Sequence, residues 1–280
     1  MVDVIYAIAV LGGLGLFFGG LLSYVAQRFE VDEDPRVEMI VDFLPGANCG
    51  ACGSSGCVNL AEKMVRGEAP SDSCPACGKA VCDDICKILG VEPGPPDIKK
   101  IAAVFCLGTN DVAVSRFEYR GVQDCKAALM FGGGFKACNY GCLGLGTCVH
   151  VCPFDAIHMG EKGLPVVDPE RCTGCGLCAK ACVRGIIHII NAEKSTKAVL
   201  CNSKDRGKIT RQVCEVGCIG CKACVKACPQ EAIVVNNNLA VIDEEKCNKC
   251  GKCVEVCPRG TIQEPLGKMQ DAGHRRQKVG

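Results

Sequence analysis

The sequence predicts an α+β chain: one N-terminal apolar helix, a small cysteine module, then two tandem copies of a larger cysteine-rich module. Three observations carry that expectation. Residues 4–27, VIYAIAVLGGLGLFFGGLLSYVAQ, run 24 positions without a charge. Of the 280 residues, 27 are cysteine. From Cys138 onward both the cysteine spacing and the phrases that follow it repeat.

A helix of that first stretch, at ~1.5 Å per residue, reaches roughly 36 Å and crosses a bilayer core. A signal peptide would have a shorter apolar stretch preceded by positive charge. Here Asp3 precedes and Arg28 follows, so the span is read as uncleaved, with the Arg28 side in the cytoplasm. Gly15, Gly19 and Ser23 recur every four residues, a small-residue stripe that another helix could approach, although ordinary glycine enrichment gives the same pattern. A span without intramembrane charge is an anchor or docking helix, not an ion path.

The cysteine count is odd, and most cysteines fall in runs with gaps of two or three residues. Thiols that close point at a common centre, as thiolate ligands of soft metals do, which places them in a reducing, cytoplasm-facing compartment. The formal charge of +1 hides an asymmetry. Residues 1–97 carry 6 Lys/Arg and 14 Asp/Glu, net −8; residues 98–280 carry the other 26 and 17, net +9. With no tryptophan and 5% aromatic residues, metal clusters can replace an aromatic core as packing centres.

The second copy of the repeat is the cleaner. Cys218, Cys221 and Cys224 make C-x2-C-x2-C, and Cys228-Pro229 follows; Cys247, Cys250 and Cys253 repeat the triplet, closed by Cys257-Pro258. This is the spacing of two-cluster bacterial ferredoxins, in which the fourth cysteine of each run ligates the other cluster. Cys228 therefore joins Cys247, Cys250 and Cys253, and Cys257 joins Cys218, Cys221 and Cys224. The first copy holds Cys138, Cys142, Cys148 and Cys152-Pro153, then Cys172, Cys175, Cys178 and Cys182, with Val183 in place of the proline. Its first triplet has gaps of three and five. The same rule assigns Cys152 to Cys172, Cys175 and Cys178, and Cys182 to Cys138, Cys142 and Cys148. Zinc sites favour paired C-x2-C spacings, and two octets of triplets plus a remote cysteine argue against it.

The N-terminal module places Cys49, Cys52 and Cys57 in NCGACGSSGC, with Cys74 following and Cys77 as an alternative fourth ligand. Spacing alone leaves zinc open here. The segment after Cys57, VNLAEKMVRG, reads as a helix. The count is five [4Fe–4S] clusters on twenty cysteines. Cys77, Cys82, Cys86, Cys106, Cys125, Cys201 and Cys214 remain, either as small buried apolar residues or, for some of Cys77, Cys82, Cys106 and Cys125, as ligands of a sixth cluster. The expected organisation is a membrane anchor (1–28), an N-terminal cluster module (29–97) that opens with an acidic connector (29–46), a connecting segment (98–136), ferredoxin-like module 1 (137–192), a linker (193–212), ferredoxin-like module 2 (213–265) and a flexible tail (266–280). Within these, 91–97 reads as a hinge, 101–106 as a short strand and 124–131 as a helical turn.

No G-x-G-x-x-G opens a helix after a strand, and there is no P-loop and no H-E-x-x-H. The four histidines are scattered singly. The chain thus carries single electrons, has no evident place for a hydride or a covalent step, and takes no nucleic acid.

A membrane helix, a C-x2-C-x4-C…C module and ferredoxin octets in that order resemble the B subunit of the Rnf complex, the membrane-bound ion-translocating ferredoxin:NAD oxidoreductase. NCGACGSSGC and GCLGLGTCVHVCPFDAI are the most specific phrases. Where the family usually reads GYPGC, this chain reads GSSGC, a difference expected to touch packing and not ligation. The resemblance implies electrons accepted from soluble reduced ferredoxin at the cytoplasmic face, passage to flavin and iron–sulfur subunits in the membrane, NAD reduction by a sister subunit, and export of Na⁺ or H⁺. The competing classes are an anchored polyferredoxin of a hydrogenase or formate-oxidising complex and a zinc-bound scaffold without redox function.

Overall fold

The computed structural model describes residues 2–28, 34–94, 98–192 and 197–265. Helix α1 (Val2–Arg28) is the predicted span, and none of the window Ile8–Val25 is buried by the rest of the chain. Leucines, phenylalanines and valines line it all round and stand exposed. A helix apolar on every side needs lipid or partner helices to cover it.

Residues 34–90 form a three-helix module: α2 (Pro35–Phe43), α3 (Cys57–Val65) and α4 (Lys79–Leu89). The acidic stretch expected as a connector is thus partly helix. Asp34 caps α2 by accepting the N–H of Arg36 at 2.9 Å, and Pro35 takes the first helical position, where no N–H is required. Val37, Ile40 and Leu44 of this segment pack against Leu60, Met64 and Ile85, with Cys74 and Cys77 buried in the same core. Helix α4 ends at Gly90 in the left-handed conformation. Part of the predicted hinge (95–97) and the whole predicted tail lie outside the described residues.

Two modules of the same plan follow. In the first, β1 (Lys100–Val104) pairs antiparallel with β4 (Ile187–Asn191), while β2 (Ile157–Met159) pairs with β3 (Pro165–Val167). In the second, β5 (Ala198–Val199) pairs with β8 (Ile262–Gln263), and β6 (Ile233–Asn236) with β7 (Leu239–Ile242). Asn237 and Asn238, both at positive φ, make the two-residue turn between β6 and β7. Short helices carry cysteines: α6 (Thr147–His150) and α7 (Leu177–Ala181) in the first module, α9 (Ala223–Ala227) and α10 (Lys252–Glu255) in the second. Helices α5 (Cys125–Met130) and α8 (Gly207–Val213) stand ahead of the two cysteine runs.

The strand at 101–106 and the helix at 124–131 thus form as expected, yet neither segment around the modules is a connector. Residues 98–136 supply β1, the outer strand of the first module; residues 197–212 supply β5 and α8, in which Thr210 is fully buried. The reason is the apolar run Ile101–Val104, which can only be buried by pairing with the strand that ends its module. Ile101→Ala should therefore unfold the first module preferentially, with a loss of ~2–5 kcal/mol typical of a buried isoleucine, measurable as a lowered denaturation midpoint under anaerobic conditions.

Candidate iron–sulfur centres

Four cavities sit where the two modules bring their cysteines together. One is lined by Cys152, Cys172, Cys175 and Cys178; a second by Cys218, Cys221, Cys224 and Cys257; a third by Cys228, Cys247, Cys250 and Cys253. These groupings contain the same cysteines as the crossed sets drawn from spacing.

The fourth differs. It is lined by Cys125, Cys142, Cys148 and Cys182, with Cys125 where spacing puts Cys138. Cys142 and Cys148 are six positions apart, as are Cys218 and Cys224, so the two loops have the same length and Leu145 stands where Cys221 does. Helix α5 brings Cys125, 17 residues upstream of Cys142, into the cavity lined by Cys142, Cys148 and Cys182. Thr147 fixes Cys125 there: its hydroxyl accepts the N–H of Cys125 at 2.7 Å and donates to Asp124 at 2.9 Å, while Asp124 caps α5. Cys138 faces another cavity. The pairing of Asp124-Cys125 with Thr147-Cys148 is not visible in spacing, because it joins two loops.

Backbone geometry explains the C-x2-C-x2-C loops. The residue before the middle cysteine and the residue after it are left-handed in each regular run: Gly174 and Gly176, Gly220 and Lys222, Lys249 and Gly251. Such alternation turns successive N–H groups inward as a concave cradle for an anion. Glycine at 174 and 220 has a second cause. A Cβ there would stand 2.5 Å from the carbonyl oxygen of Lys100 and 2.8 Å from that of Asn238. The strand side contributes too, since the Ala102 N–H donates to Cys172 Sγ at 3.3 Å.

Electrostatics and unsatisfied groups both fit a bound cationic core with anionic sulfur. Burial, followed by neighbouring thiols, pushes Cys178 and Cys224 up to about 11 and Cys148 up to about 12. Four such thiolates coexist only around positive charge. Thr173 Oγ1, Arg184 Nε and Arg259 Nε are buried without a hydrogen-bond partner, and these residues line three of the cavities. Inorganic sulfide and cysteine sulfur are the acceptors such donors lack. Arg184 and Arg259 are equivalent residues of the repeat, each two places after the last cysteine of its module. Other nitrogens of the two guanidinium groups are bonded: Arg184 Nη1 and Nη2 donate to the carbonyls of Asn139 and Gly133, and Arg259 Nη2 donates to that of Cys214. The cavities hold about 340–390 Å³ of atom-free space. Among the described residues no three Cys, His, Asp or Glu side chains converge on one ion-sized point. A cubane asks for no such point, because each thiolate takes its own iron.

In the N-terminal module Cys74 and Cys77 lie side by side in the core. A hydrogen bond from Cys77 holds the Cys74 thiol down at about 6, and Cys77 is pushed up, by Cys74 first, then burial, with Cys82 and Cys57 adding to it. Asn48 Oδ1 accepts the N–H of Cys57 at 2.8 Å. Burial first pushes the Cys175 thiol up, and Cys49 lies near enough to add to that shift. Cys86 is buried with its sulfur 3.0 Å from Ser71 Oγ.

Comparison with known proteins agrees with this arrangement. Residues 44–76 match the family described as "Putative Fe-S cluster", a stretch that includes Cys49, Cys52, Cys57 and Cys74 but not Cys77. Residues 137–186 and 217–261 match the 4Fe-4S dicluster domain. The chain is 48% identical to the B subunit of the Na(+)-translocating ferredoxin:NAD(+) oxidoreductase complex of Acetobacterium woodii, over 92% of this chain and 77% of that one. It is 47% identical to the B subunit of the ion-translocating oxidoreductase complex of Methanosarcina acetivorans, over 92% and 97%. It is 44% identical to the B subunit of the proton-translocating ferredoxin:NAD(+) oxidoreductase complex of Clostridium ljungdahlii, over 94% and 93%. Together with one N-terminal apolar helix, an iron–sulfur module and two dicluster modules in the same order, these identities show that the chain belongs to the family of B subunits of ion-translocating ferredoxin:NAD oxidoreductase complexes.

Proposed function

We propose that this chain takes electrons from soluble reduced ferredoxin and carries them to the membrane subunits of its complex, with the cysteine modules on the cytoplasmic side of the membrane anchored by α1. The carrying observation is the set of cysteine-lined cavities strung along one chain, two of them with a buried arginine nitrogen that has no other partner. The ligand sets are Cys152, Cys172, Cys175 and Cys178; Cys125, Cys142, Cys148 and Cys182; Cys218, Cys221, Cys224 and Cys257; Cys228, Cys247, Cys250 and Cys253. The N-terminal set is Cys49, Cys52, Cys57 and Cys74. When bound, a [4Fe–4S] cluster supplies one-electron storage at a potential set by charge, hydrogen bonds and exposure.

The residues of this chain do the tuning and positioning. Inward N–H groups of the cysteine loops, together with Arg184 and Arg259, stabilise added negative charge. Cys221 and Cys250 are the exposed ligands, which brings two of the sites to the surface where a donor can dock. The absence of charge from residues 4–27 of α1 assigns ion translocation to other subunits. The test is anaerobic purification with iron, zinc and visible absorption measured on the same sample, followed by bleaching on addition of reduced ferredoxin. At least about twenty irons per chain, four for each of the five sets, with rapid bleaching, support the reading; zinc in place of iron, or a chromophore that ferredoxin does not reduce, overturns it.

Arg259→Met provides a narrower check. A hydrogen bond to a charged group contributes ~1.5–3 kcal/mol, and one-electron transfer converts tenfold to 59 mV. The Cys218-set potential should therefore fall, by at most about 130 mV, in an electron-paramagnetic-resonance redox titration. An unchanged potential would mean that Nε does not face the cluster.

A further inference from the structure

The largest of the cysteine-lined cavities belongs to none of these sets. It holds about 440 Å³ of atom-free space between the two ferredoxin-like modules. Cys106 and Cys138 enter it from the first module, Cys201 and Cys214 from the second. We propose that these four cysteines hold a sixth [4Fe–4S] cluster, which bridges the clusters of the two modules. The proposal rests on the iron–sulfur reading of the other sets.

The two pairs are equivalents in the repeat. Cys106 follows β1 and Cys201 follows β5, each one residue past a backbone bond that continues the strand: Phe105 N–H to Ile186 O at 2.7 Å, and Leu200 N–H to Thr261 O at 2.9 Å. Cys138 and Cys214 open the phrases CNYGCLG and CEVGCIG, four residues ahead of Cys142 and Cys218. Each module therefore contributes the same two positions, and the isolated bridge Ala113↔Cys214 closes the junction. Buried unused cysteines have no reason to recur in register and then converge across a pseudo-twofold.

Donors are duplicated in the same way. The Gly108 and Cys142 N–H groups point at Cys106 Sγ, at 3.4 and 3.5 Å. Their counterparts, the N–H groups of Ser203, at 3.4 Å, and Cys218, point at Cys201 Sγ. Cys214 receives the N–H groups of Val216 and Gly217. Uncharged packing cysteines do not need paired backbone donors; cluster thiolates do. Four thiolates on a [4Fe–4S]²⁺ core sum to −2, and the cavity wall holds one buried cation to offset it. Lys136 is 2% exposed and donates from Nζ to Asn110 Oδ1 at 2.7 Å.

Place gives the site its role. Cys142 lines both this cavity and the one shared by Cys125, Cys148 and Cys182. On the other side, the backbone of Cys218 bonds Cys201, and the Cys218 side chain lines the next cavity. One electron handed across the junction oxidises a cluster of one module and reduces a cluster of the other, with no proton and no covalent bond exchanged. Its source is the reduced ferredoxin of the proposed function.

The experiment counts iron, sulfide and zinc per chain in the full-length protein and in ligand variants, all anaerobic. Wild-type protein should hold about twenty-four irons, six cubanes of four. Cys106→Ala with Cys214→Ala should lose four irons, and adding Cys138→Ala should cost no more. Adding Cys138→Ala to Cys142→Ala with Cys148→Ala should cost further iron, since it then strikes a second cluster. Should the double variants fail to fold, the wild-type count decides alone. Twenty irons in wild type, or one zinc that disappears with Cys106 and Cys214, overturns the sixth cluster and leaves the other five standing. Iron far below twenty, insensitive to every one of these substitutions, overturns both readings.

Discussion

Cys228→Ala is expected to strip or convert the cluster of Cys247, Cys250 and Cys253, and to leave the cluster of its own run intact. Cys228 lines the cavity of that later triplet, and Cys257 lines the cavity of Cys218, Cys221 and Cys224. The two returns are equivalent: each follows its short helix, α9 or α10, with a proline next in sequence. Losing one thiolate of four leaves a cubane that loses its fourth iron or dissociates, so the reduced signal should change type as well as intensity. Combination variants locate the damage. Cys228→Ala added to Cys247→Ala with Cys250→Ala should cost nothing further, whereas added to Cys218→Ala with Cys221→Ala it should cost a second cluster. The reverse pattern would mean that each run of four thiols serves its own cluster and that the crossed arrangement is wrong.

Lys249→Glu with Lys252→Glu is expected to slow oxidation of reduced ferredoxin at least about tenfold at low salt, the lower end of what electrostatic steering contributes. Both lysines are exposed, and they flank Cys250, itself exposed. Lys222 and Lys226 stand in the same way beside Cys221, and Lys180 and Arg184 beside the cysteines of the first module. Asp243, Glu244 and Glu245 oppose them in part, with Lys246 paired to Asp243 at 3.6 Å. Ferredoxins are acidic proteins in general, so exposed lysines beside the exposed cysteines Cys221 and Cys250 orient their approach. The wild-type rate should fall as ionic strength rises, because the Debye length shrinks from ~30 Å at 0.01 M to ~8 Å at 0.15 M. A small neutral reductant should show neither effect. Charge reversal that lowers iron content, or a rate indifferent to salt and to both substitutions, would leave the lysines as internal charge balance.

The apolar helix and three of the crossed cysteine sets were legible in the sequence because each depends on short-range spacing. Periodicity places Cys218, Cys221 and Cys224 on one loop regardless of what surrounds it. What escaped depends on partners far away in sequence. β1 reads as a strand, but only its pairing with β4, with Lys100 opposite Asn191, shows that residues 98–136 belong inside the first module. The sequence offers Cys125 only as a candidate for a sixth cluster, because the leucine at 145 hides its place beside Cys142 and Cys148. It offers Cys106 for the same cluster, but places Cys138 in another set and leaves Cys201 and Cys214 over, because each module shows only two of the four. The repeat CNYGCLG and CEVGCIG was the available signal. A search for triplets passes over it, because its partners Cys106 and Cys201 come from the strand ends.

The closure of each module by its first and last strands also sets an order of biogenesis. Strand β1 leaves the ribosome about ninety residues before β4, roughly 5–20 s at ordinary synthesis rates. For that interval its apolar edge is unpaired and open to intermolecular pairing, a hazard that trapping by chaperones would have to cover. Cys106 and Cys138 wait longer still, until Cys201 and Cys214 have been made. If iron–sulfur assembly proceeds along the nascent chain, the junction is the first site to need both modules: its thiols are all made once Cys214 has emerged, before Cys253 and Cys257 complete the two sets of the second module. Chains truncated between the modules should keep two orphaned, oxidisable thiols and be recognisable by them, so the junction doubles as a quality mark on the finished protein.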